Sequence, residues 1–188
     1  MKKILLILIT LFLLITNCIF SQTSIYPDSV GTKVFYENGY TYQANRSSGG
    51  DIYVYNKNNT WIGITPVNKI TGEPPLEYGP NLLDVDVWRI QVNVLFSILE
   101  ESYSTEEKKK IKEAGIGREC FINLFINPIT GKVDDVRFSF YRLSYYMYIP
   151  ISKFREIELK IKERLQFEVT DYGKQFNYIY YWNDYKFK

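Results

Sequence analysis

The dipeptide Asn38-Gly39 lies between two strand-like segments and limits how residues 32–44 can fold. Asn and Gly accept the positive φ angles of a type I′ turn, the two-residue turn whose twist matches that of a β-hairpin. A two-residue turn leaves one register, which places Phe35 opposite Tyr42. The two segments are Thr32–Glu37 and Tyr40–Ala44. The sequence therefore predicts an antiparallel hairpin here.

A second alternating segment follows at residues 51–55. Ile52 and Val54 alternate with Tyr53 and Tyr55, so a strand here has one aliphatic face and one tyrosine face. The tyrosine face is a candidate binding surface, because a tyrosine ring can pack while its hydroxyl stays wet; simple sheet packing is the alternative. The expected strands of this hairpin are Asp51–Tyr55 and Thr60–Val67, which complete a four-strand antiparallel β-meander within residues 22–83.

Two helices are expected after an irregular connection rich in Gly and Pro. Between Asp84 and Glu101, apolar residues recur at spacings of three and four, which indicates a helix with one buried face. These residues are Trp88, Val92, Leu95, Phe96 and Leu99. Ser104 and Glu107 form a capping box that begins a second helix, and Gly115 ends it.

The C-terminal part is predicted to contain two strands, a helix and a last strand. The expected elements are Arg118–Ile126, Val133–Phe140, a helix over Lys153–Arg164 capped by Ser152, and a final strand Lys174–Trp182. Phe154, Ile157 and Ile161 form the expected buried stripe of the helix. The i,i+4 pairs Glu156–Lys160 and Glu158–Lys162 indicate a solvated outer face.

The order of elements in residues 112–182 resembles the C-terminal domain of TonB. The segments that carry the resemblance are AGIGRECFINLFINPITGKVDDVRFSF and PISKFREIELKIKERLQFEVTDYGKQFNYIYYW. The resemblance implies a fold and not an activity, because one fold serves many functions. We therefore expect an α+β protein. Residues 84–188 would hold two helices and a TonB-like strand-strand-helix-strand unit, in one compact domain with the meander.

The chain after residue 21 also resembles a family of uncharacterised exported proteins from Bacteroides-type bacteria. The matching segments are FYENGYTYQ, YNKNNTW, STEEKKKIK and GKQFNYIYYW. This resemblance implies export and a domain of unknown function.

The N-terminus has the three parts of a secretory signal peptide. Lys2 and Lys3 form the positive region, the apolar run extends over residues 4–15, and small polar residues follow. The apolar run is shorter than the roughly 20 residues that span a bilayer. We expect residues 1–21 to be removed by cleavage between Ser21 and Gln22.

Cys18 provides an alternative to that cleavage. Residues 15–18 resemble a bacterial lipobox, in which the cysteine is acylated and becomes the new N-terminus. Asn17 departs from this pattern, which normally has Gly, Ala or Ser before the cysteine. Lipidation at Cys18 would attach the protein to a membrane; otherwise we expect no membrane contact. In both cases the expected location is the periplasm or the outer membrane.

Composition excludes several kinds of function. Beyond the signal segment Cys120 is the only cysteine, so no intramolecular disulfide can form, and the chain has no histidine. Catalytic triads that use imidazole are therefore excluded. Loss of Lys2 and Lys3 from the 23 basic residues balances the 21 acidic ones, so charge gives no reason to expect a nucleic-acid partner.

The remaining candidates for chemistry have structural explanations. Gly115-Ile116-Gly117 precedes a strand and does not open a helix, unlike a dinucleotide-binding motif. Cys120 has no histidine to activate it and lies on an apolar strand face. Asp134 and Asp135 are neighbours in a strand, so their side chains point to opposite faces. We expect no catalytic residues, no cofactor and no metal site.

The last predicted strand is the candidate partner-binding edge. It contains no proline and only Lys174 as a charge, whereas exposed edges are usually protected by charge or proline. The candidate residues are Phe176, Tyr178, Ile179, Tyr180 and Trp182, and the pattern leaves open which of its faces is buried. Its occupant could be an extended peptide of an envelope protein, a second copy that makes a homodimer, or the chain's own meander.

The sequence thus predicts a non-enzymatic envelope protein that binds a protein or peptide, or assists assembly. The alternative is a carbohydrate-binding or carbohydrate-hydrolysing envelope protein, which the many aromatic residues also suit.

Overall fold

A computed structural model describes residues 25–75, 81–115, 117 and 119–187 of the chain. The predicted signal segment 1–21 and the candidate lipidation site Cys18 lie outside the described residues. Within the described residues, no helix is both long enough and apolar enough to span a bilayer.

The described residues form a six-stranded sheet with strand order β1-β2-β3-β5-β4-β6, in which every neighbouring pair is antiparallel. The strands are β1 Gly31–Glu37, β2 Tyr40–Arg46, β3 Asp51–Asn56, β4 Cys120–Ile126, β5 Val133–Tyr141 and β6 Ile179–Tyr185. Because β3 pairs with β5, the N-terminal strands and the C-terminal unit share one sheet. The predicted α+β fold class is confirmed.

The first hairpin has the predicted register. Phe35 lies opposite Tyr42, and the turn residues Asn38 and Gly39 have φ angles of 48° and 78°. Both angles fall in the left-handed region that a type I′ turn requires. Local turn chemistry was therefore enough to predict this part of the fold.

The predicted fourth strand of the meander, Thr60–Val67, is wrong. After β3, the side-chain oxygen of Asn56 accepts a hydrogen bond from Asn58 N at 3.0 Å and turns the chain. Gly63 then adopts a φ of 79°, which breaks the extended conformation. The indole of Trp61 packs on Tyr178 at 4.7 Å between ring centroids. The segment therefore crosses towards β6, and the meander has three strands.

In the described part of the chain, three α-helices lie between the strands: α1 Val85–Ser102, α2 Thr105–Glu113 and α3 Ile151–Arg164. The carboxylate of Asp84 caps α1, and the Ser104–Glu107 capping box begins α2 as predicted. The prediction that Ser152 caps α3 is wrong. Pro150 is the N-cap residue, and Ser152 lies inside the first turn, because Ile151 already begins the helix and is buried.

Helices α1 and α3 cover one face of the sheet. Phe96 of α1 packs on Tyr185 at 5.0 Å, and Phe154 of α3 packs on Phe138 at 5.0 Å between ring centroids. The buried side chains of this face include Ile52, Val54, Cys120, Ile122, Leu124, Ile126, Val136, Phe138 and Phe140, together with Phe154, Ile157 and Ile161 of α3. We call this the helix face.

A close backbone contact joins the β4–β5 turn to the segment after α3. Phe167 N donates to Gly131 O at 2.9 Å, and a Cβ atom on Gly131 would lie 1.9 Å from Phe167 O. Gly131 also has a φ of 69°. Only glycine fits both conditions, so this turn and the chain leaving α3 are held together.

The last strand begins later than predicted. Residues 173–175 form a 3₁₀ turn, in which Lys174 pairs with Asp171 at 2.8 Å, and β6 runs only from Ile179 to Tyr185. Residues 175–177 bond to residues 67–69, for example through Asn177 N and Val67 O at 3.1 Å. Because of this long-range pairing, β6 begins further along the chain than predicted, so it contains Asp184 and does not contain Lys174.

Candidate functional site: the open face and edge of the sheet

The second face of the sheet carries the side chains that alternate with the core residues. The register places Asn123 of β4 between Arg137 of β5 and Trp182 of β6. The same alternation places Tyr53 of β3 beside Ser139 of β5. We call this the open face, and its central side chains are Tyr53, Tyr55, Phe121, Asn123, Phe125, Arg137, Ser139, Tyr180 and Trp182.

A groove with a cavity volume of about 660 Å³ crosses the open face. This volume lies in the range of small-molecule binding sites. Its lining includes Asp51, Tyr53, Phe121, Asn123, Arg137, Ser139, Tyr180 and Trp182. Four different strands therefore supply the lining, and the rigid sheet positions their side chains.

The centre of the groove is polar and connected by hydrogen bonds. Arg137 Nη2 donates to the Tyr180 hydroxyl at 3.1 Å and to Asn123 Oδ1 at 3.4 Å. The Tyr180 hydroxyl donates to the same Asn123 oxygen. Asn123 Nδ2 donates to the Arg137 carbonyl at 3.1 Å. These bonds hold the guanidinium group in one orientation.

Arg137 has no acidic partner among the described residues. Its guanidinium carbon lies 5.4 Å from the ring centroid of Tyr53 and 6.0 Å from that of Tyr180. The buried Nε atom has no hydrogen-bond partner in the described part of the chain, and no described carboxylate lies within ion-pair distance. The positive charge is thus held between aromatic rings at the centre of a cavity.

Exposed aromatic rings form one side of the groove. Trp182 is 51% exposed and Phe121 is 39% exposed, and their ring centroids are 6.2 Å apart. Large apolar side chains with this exposure, next to one another, often mark a binding surface. The ring pair therefore gives the groove an apolar side next to its polar centre.

The segment that replaces the predicted fourth strand builds the other end of the face. A second cavity of about 330 Å³ lies beneath residues 61–66, and Arg137 and Tyr180 line both cavities. Tyr178 is buried here: its ring packs on Trp61, and its hydroxyl donates to the carbonyl of Ile64. The segment thus forms a wall beside the groove.

The outer side of β6 is an edge of the sheet. Asn127 N donates to Lys132 O at 2.8 Å, so odd-numbered residues at the end of β4 bond towards β5. Bonded pairs alternate along antiparallel strands, so even-numbered residues of β4 bond to β6. Their partners in β6 are Ile179, Tyr181, Asn183 and Tyr185. The N–H and C=O groups of Trp182 and Asp184 therefore point away from the sheet, and no described strand pairs with them.

The five residues predicted for the partner-binding edge fall into two groups. Tyr180 and Trp182 face the groove, whereas Phe176, Tyr178 and Ile179 are buried. Phe176 and Tyr178 precede the strand, which begins only at Ile179.

The predicted tyrosine face lies on the open face, and its two members differ. Tyr53 lines the groove. Tyr55 is buried, and its hydroxyl accepts hydrogen bonds from Gln43 at 2.7 Å and Asn45 at 2.9 Å. Tyr55 therefore has a packing role in this sheet, and Tyr53 is the candidate for ligand contact.

The residues examined for catalysis lie apart from the groove. Cys120 is buried on the helix face, and burial raises the pKa of its thiol. Burial also raises the pKa of Asp135, which lies 3.4 Å from Lys162, whereas Asp134 accepts a hydrogen bond from Asn127 at 3.2 Å. Over the described ranges, no three side chains of the kinds that bind metals come together.

Comparison with known proteins identifies the family. Residues 22–182 match the profile of DUF5043, a domain of unknown function. The chain belongs to the DUF5043 family. Among solved structures it is similar to the crystal structure of a DUF5043 family protein from Bacteroides uniformis, with 31% identity and a TM-score of 0.77 over 87% of this chain and 88% of that one. No curated protein matches the chain.

The sequence patterns did not predict the polar centre of this groove. A signal for Arg137 was present, because a cation stands among alternating apolar residues in the segment VDDVRFSF. Asn123 similarly interrupts the apolar segment CFINLFI. Pairing these two residues with Tyr53 and Trp182 requires the strand order, which no local pattern contains.

Proposed function

We propose that this DUF5043 protein is a non-enzymatic binding module of the cell envelope, and that it takes an extended segment of a partner protein as an added strand at β6. The observation that carries the proposal is the outward direction of the backbone groups of Trp182 and Asp184. Exposed backbone groups on a long edge strand are a template for pairing with another chain.

The edge of β6 suits this role better than the opposite edge at β1. Strand β1 carries the charged residues Lys33 and Glu37, and charges protect an edge against pairing. The outward positions of β6 include exposed Trp182, whose ring can pack on the side chains of an added strand. The only charge within β6 is Asp184, near its end.

Export is part of this proposal. The match to the family begins at residue 22, which is where we expect the mature chain to start. The order β4, β5, α3, β6 is also the order of elements in the TonB-like unit and supports that resemblance. We propose a periplasmic or outer-membrane location, reached as a soluble protein or through a lipid on Cys18.

The test is capture of partners from intact envelopes by crosslinking with the tagged full-length protein. Asp184→Pro removes the outward N–H group but leaves the bonds between β4 and β6, and Asp184→Ala is the matched control that keeps the N–H group. Loss of one backbone hydrogen bond should lower capture about fivefold or more relative to the alanine variant. Val34→Pro makes the equivalent change at the β1 edge and should have no effect.

Equal capture by the proline and alanine variants, with equal melting temperatures, would show that the edge is not the binding site. In a different outcome, the crosslinking captures only an untagged copy of this protein, and size-exclusion chromatography shows dimers that Asp184→Pro abolishes. These two results together would show that the added strand comes from a second copy and not from a different partner protein.

A second candidate function is carbohydrate binding in the groove. The exposed rings of Trp182 and Phe121, beside the polar groups of Asn123 and Arg137, favour it. Asp51 is the acidic side chain among the described lining residues, whereas glycoside hydrolysis uses two carboxylates. The groove thus favours binding over hydrolysis, and Asp184→Pro should leave saccharide binding unchanged.

A further inference from the structure

We propose that the groove of the open face is a site for an acidic saccharide, in which Arg137 binds the sugar carboxylate and the Trp182–Phe121 ring pair packs against the sugar ring. This inference rests on the second candidate function, for which it names the ligand class. It does not depend on strand addition, because the groove lies on the face of the sheet and the backbone edge lies outside it.

The uncompensated charge of Arg137 is the first argument. A half-buried guanidinium group has lost part of its water, and no described carboxylate replaces it. A buried charge is normally paired, and arginine matches the planar geometry of a carboxylate particularly well. An anionic ligand would supply the missing partner.

The hydrogen bonds of Arg137 are the second argument, since they orient the group before a ligand arrives. Nη2 is held by Tyr180 and Asn123 at 3.1 Å and 3.4 Å, whereas Nη1 bonds to no described residue. Because the bonds to Nη2 already fix the side chain, Nη1 can bind a ligand without a further loss of side-chain entropy. Preorganisation of this kind increases affinity.

The rest of the lining favours a saccharide over other anions. A nucleic acid would need several cations along the face, and Arg137 is the cation among the described lining residues. Ser139 lines the groove, and its hydroxyl can donate a hydrogen bond to a sugar hydroxyl group. Exposed Trp182 and Phe121 provide apolar area for the C–H face of a sugar ring.

The test uses calorimetry and tryptophan fluorescence with trisaccharides of galacturonate, guluronate and mannuronate. Each is compared with its methyl ester, which keeps the sugar and removes the charge. We expect at least one acid to bind about tenfold or more tightly than its ester, because charge-assisted hydrogen bonds are the strong ones. Added salt should weaken binding of the acid and leave binding of the ester unchanged.

Variants then assign the charge recognition to Arg137. Arg137→Gln should bring the affinity for the acid down to that for the ester, and Arg137→Lys should restore only part of it. Trp182→Ala should weaken binding of acid and ester alike. Arg89→Gln, on the exposed surface of α1, is the matched loss of an arginine and should change nothing.

Three results would overturn the inference. If acids and esters bind wild-type protein equally, the groove does not recognise the charge, and neutral carbohydrate binding alone survives. If folded Arg137→Gln binds the acids as tightly as wild type, the carboxylate lies elsewhere. If none of the trisaccharides binds at millimolar concentration, the assignment of ligand class is wrong, while strand addition at β6 remains untouched. If Arg137→Gln does not fold, the comparison of acid with ester on wild-type protein still tests whether the protein recognises the carboxylate.

Discussion

Glu158 is an acidic side chain of α3 that is buried inside the protein. The predicted i,i+4 pair with Lys162 is present at 2.9 Å, but Glu158 is only 1% exposed, so this part of α3 is not a solvated face. Its carboxylate accepts a hydrogen bond from the buried Tyr42 hydroxyl and lies 3.2 Å from Arg155. Position 158 is four residues after Phe154 and three before Ile161, which places it beside the buried stripe of the helix.

The buried carboxyl of Glu158 should make stability depend on pH. Burial raises its pKa above the ordinary value of 4.5, and Lys162 opposes the rise. The folded state therefore favours the protonated form, so this contribution to stability is present below pH 4.5 and is lost as pH rises through the folded-state pKa. A tenfold difference in proton affinity between the folded and unfolded states is worth about 1.4 kcal/mol.

Urea unfolding of Glu158→Gln between pH 4 and 8 measures this effect. We expect the variant to lose that decline of stability with rising pH. Glu156→Gln on the same helix is the contrasting variant, because a hydrogen bond from Lys160 lowers the pKa of the exposed Glu156. The ionised Glu156 carboxylate should therefore add at most about 1 kcal/mol to the free energy of unfolding, and this contribution is lost as pH falls. Identical pH profiles for Glu158→Gln and wild type would disprove the assignment.

At the scale of elements, α3 tests the predicted packing of helix on sheet. Ile157 is 0% exposed on the helix face, and Leu159, two residues later, is 48% exposed. Ile157→Asp removes a buried side chain and places an unpaired charge in the core, so we expect a loss of about 3 kcal/mol or more in the free energy of unfolding.

Leu159→Asp makes the same chemical change on the outer side of α3 and should cost less than about 1 kcal/mol. Thermal and urea unfolding of the two variants give the comparison. Equal stability of the two would mean that Ile157 does not face the sheet.

The elements that sequence reasoning predicted well are those with local determinants. The Asn38-Gly39 turn, the Ser104–Glu107 capping box and the alternation in β4 each depend on residues a few positions apart. The errors depend on distant contacts. Residues 60–67 leave the sheet because Trp61 packs on Tyr178, which is more than a hundred positions away in the chain. The late start of β6 depends on the same pair of segments.

The candidate site could be predicted only in part for the same reason. Strand alternation predicts Tyr53 as a candidate, and the lack of proline and charge in the last strand predicts Tyr180 and Trp182, but nothing local shows that β3 and β6 contribute to one groove. The strand order β3-β5-β4-β6 brings them onto one face and places Arg137 between them. An arginine in a strand can be assigned to a binding site only when its neighbours across the sheet are known.

At the scale of the whole molecule, the helices cover one face of the sheet and leave the other face to the groove. The described strand order also leaves two edges, at β1 and β6. We propose that the edge of β6 binds a partner's backbone and that the groove binds an acidic saccharide. The two proposals can fail separately, because the first rests on the outward backbone groups of Trp182 and Asp184 and the second on the guanidinium group of Arg137.

Amide hydrogen exchange along β6, followed residue by residue by NMR, tests the central claim most directly. In the free protein, the amides of Trp182 and Asp184 should exchange rapidly, because they point outward, while those of Tyr181 and Asn183, bonded to β4, should be protected. Adding the captured partner should slow exchange at Trp182 and Asp184. Equal protection of all four amides in the free monomer would contradict the account, because the edge of β6 would then already be paired.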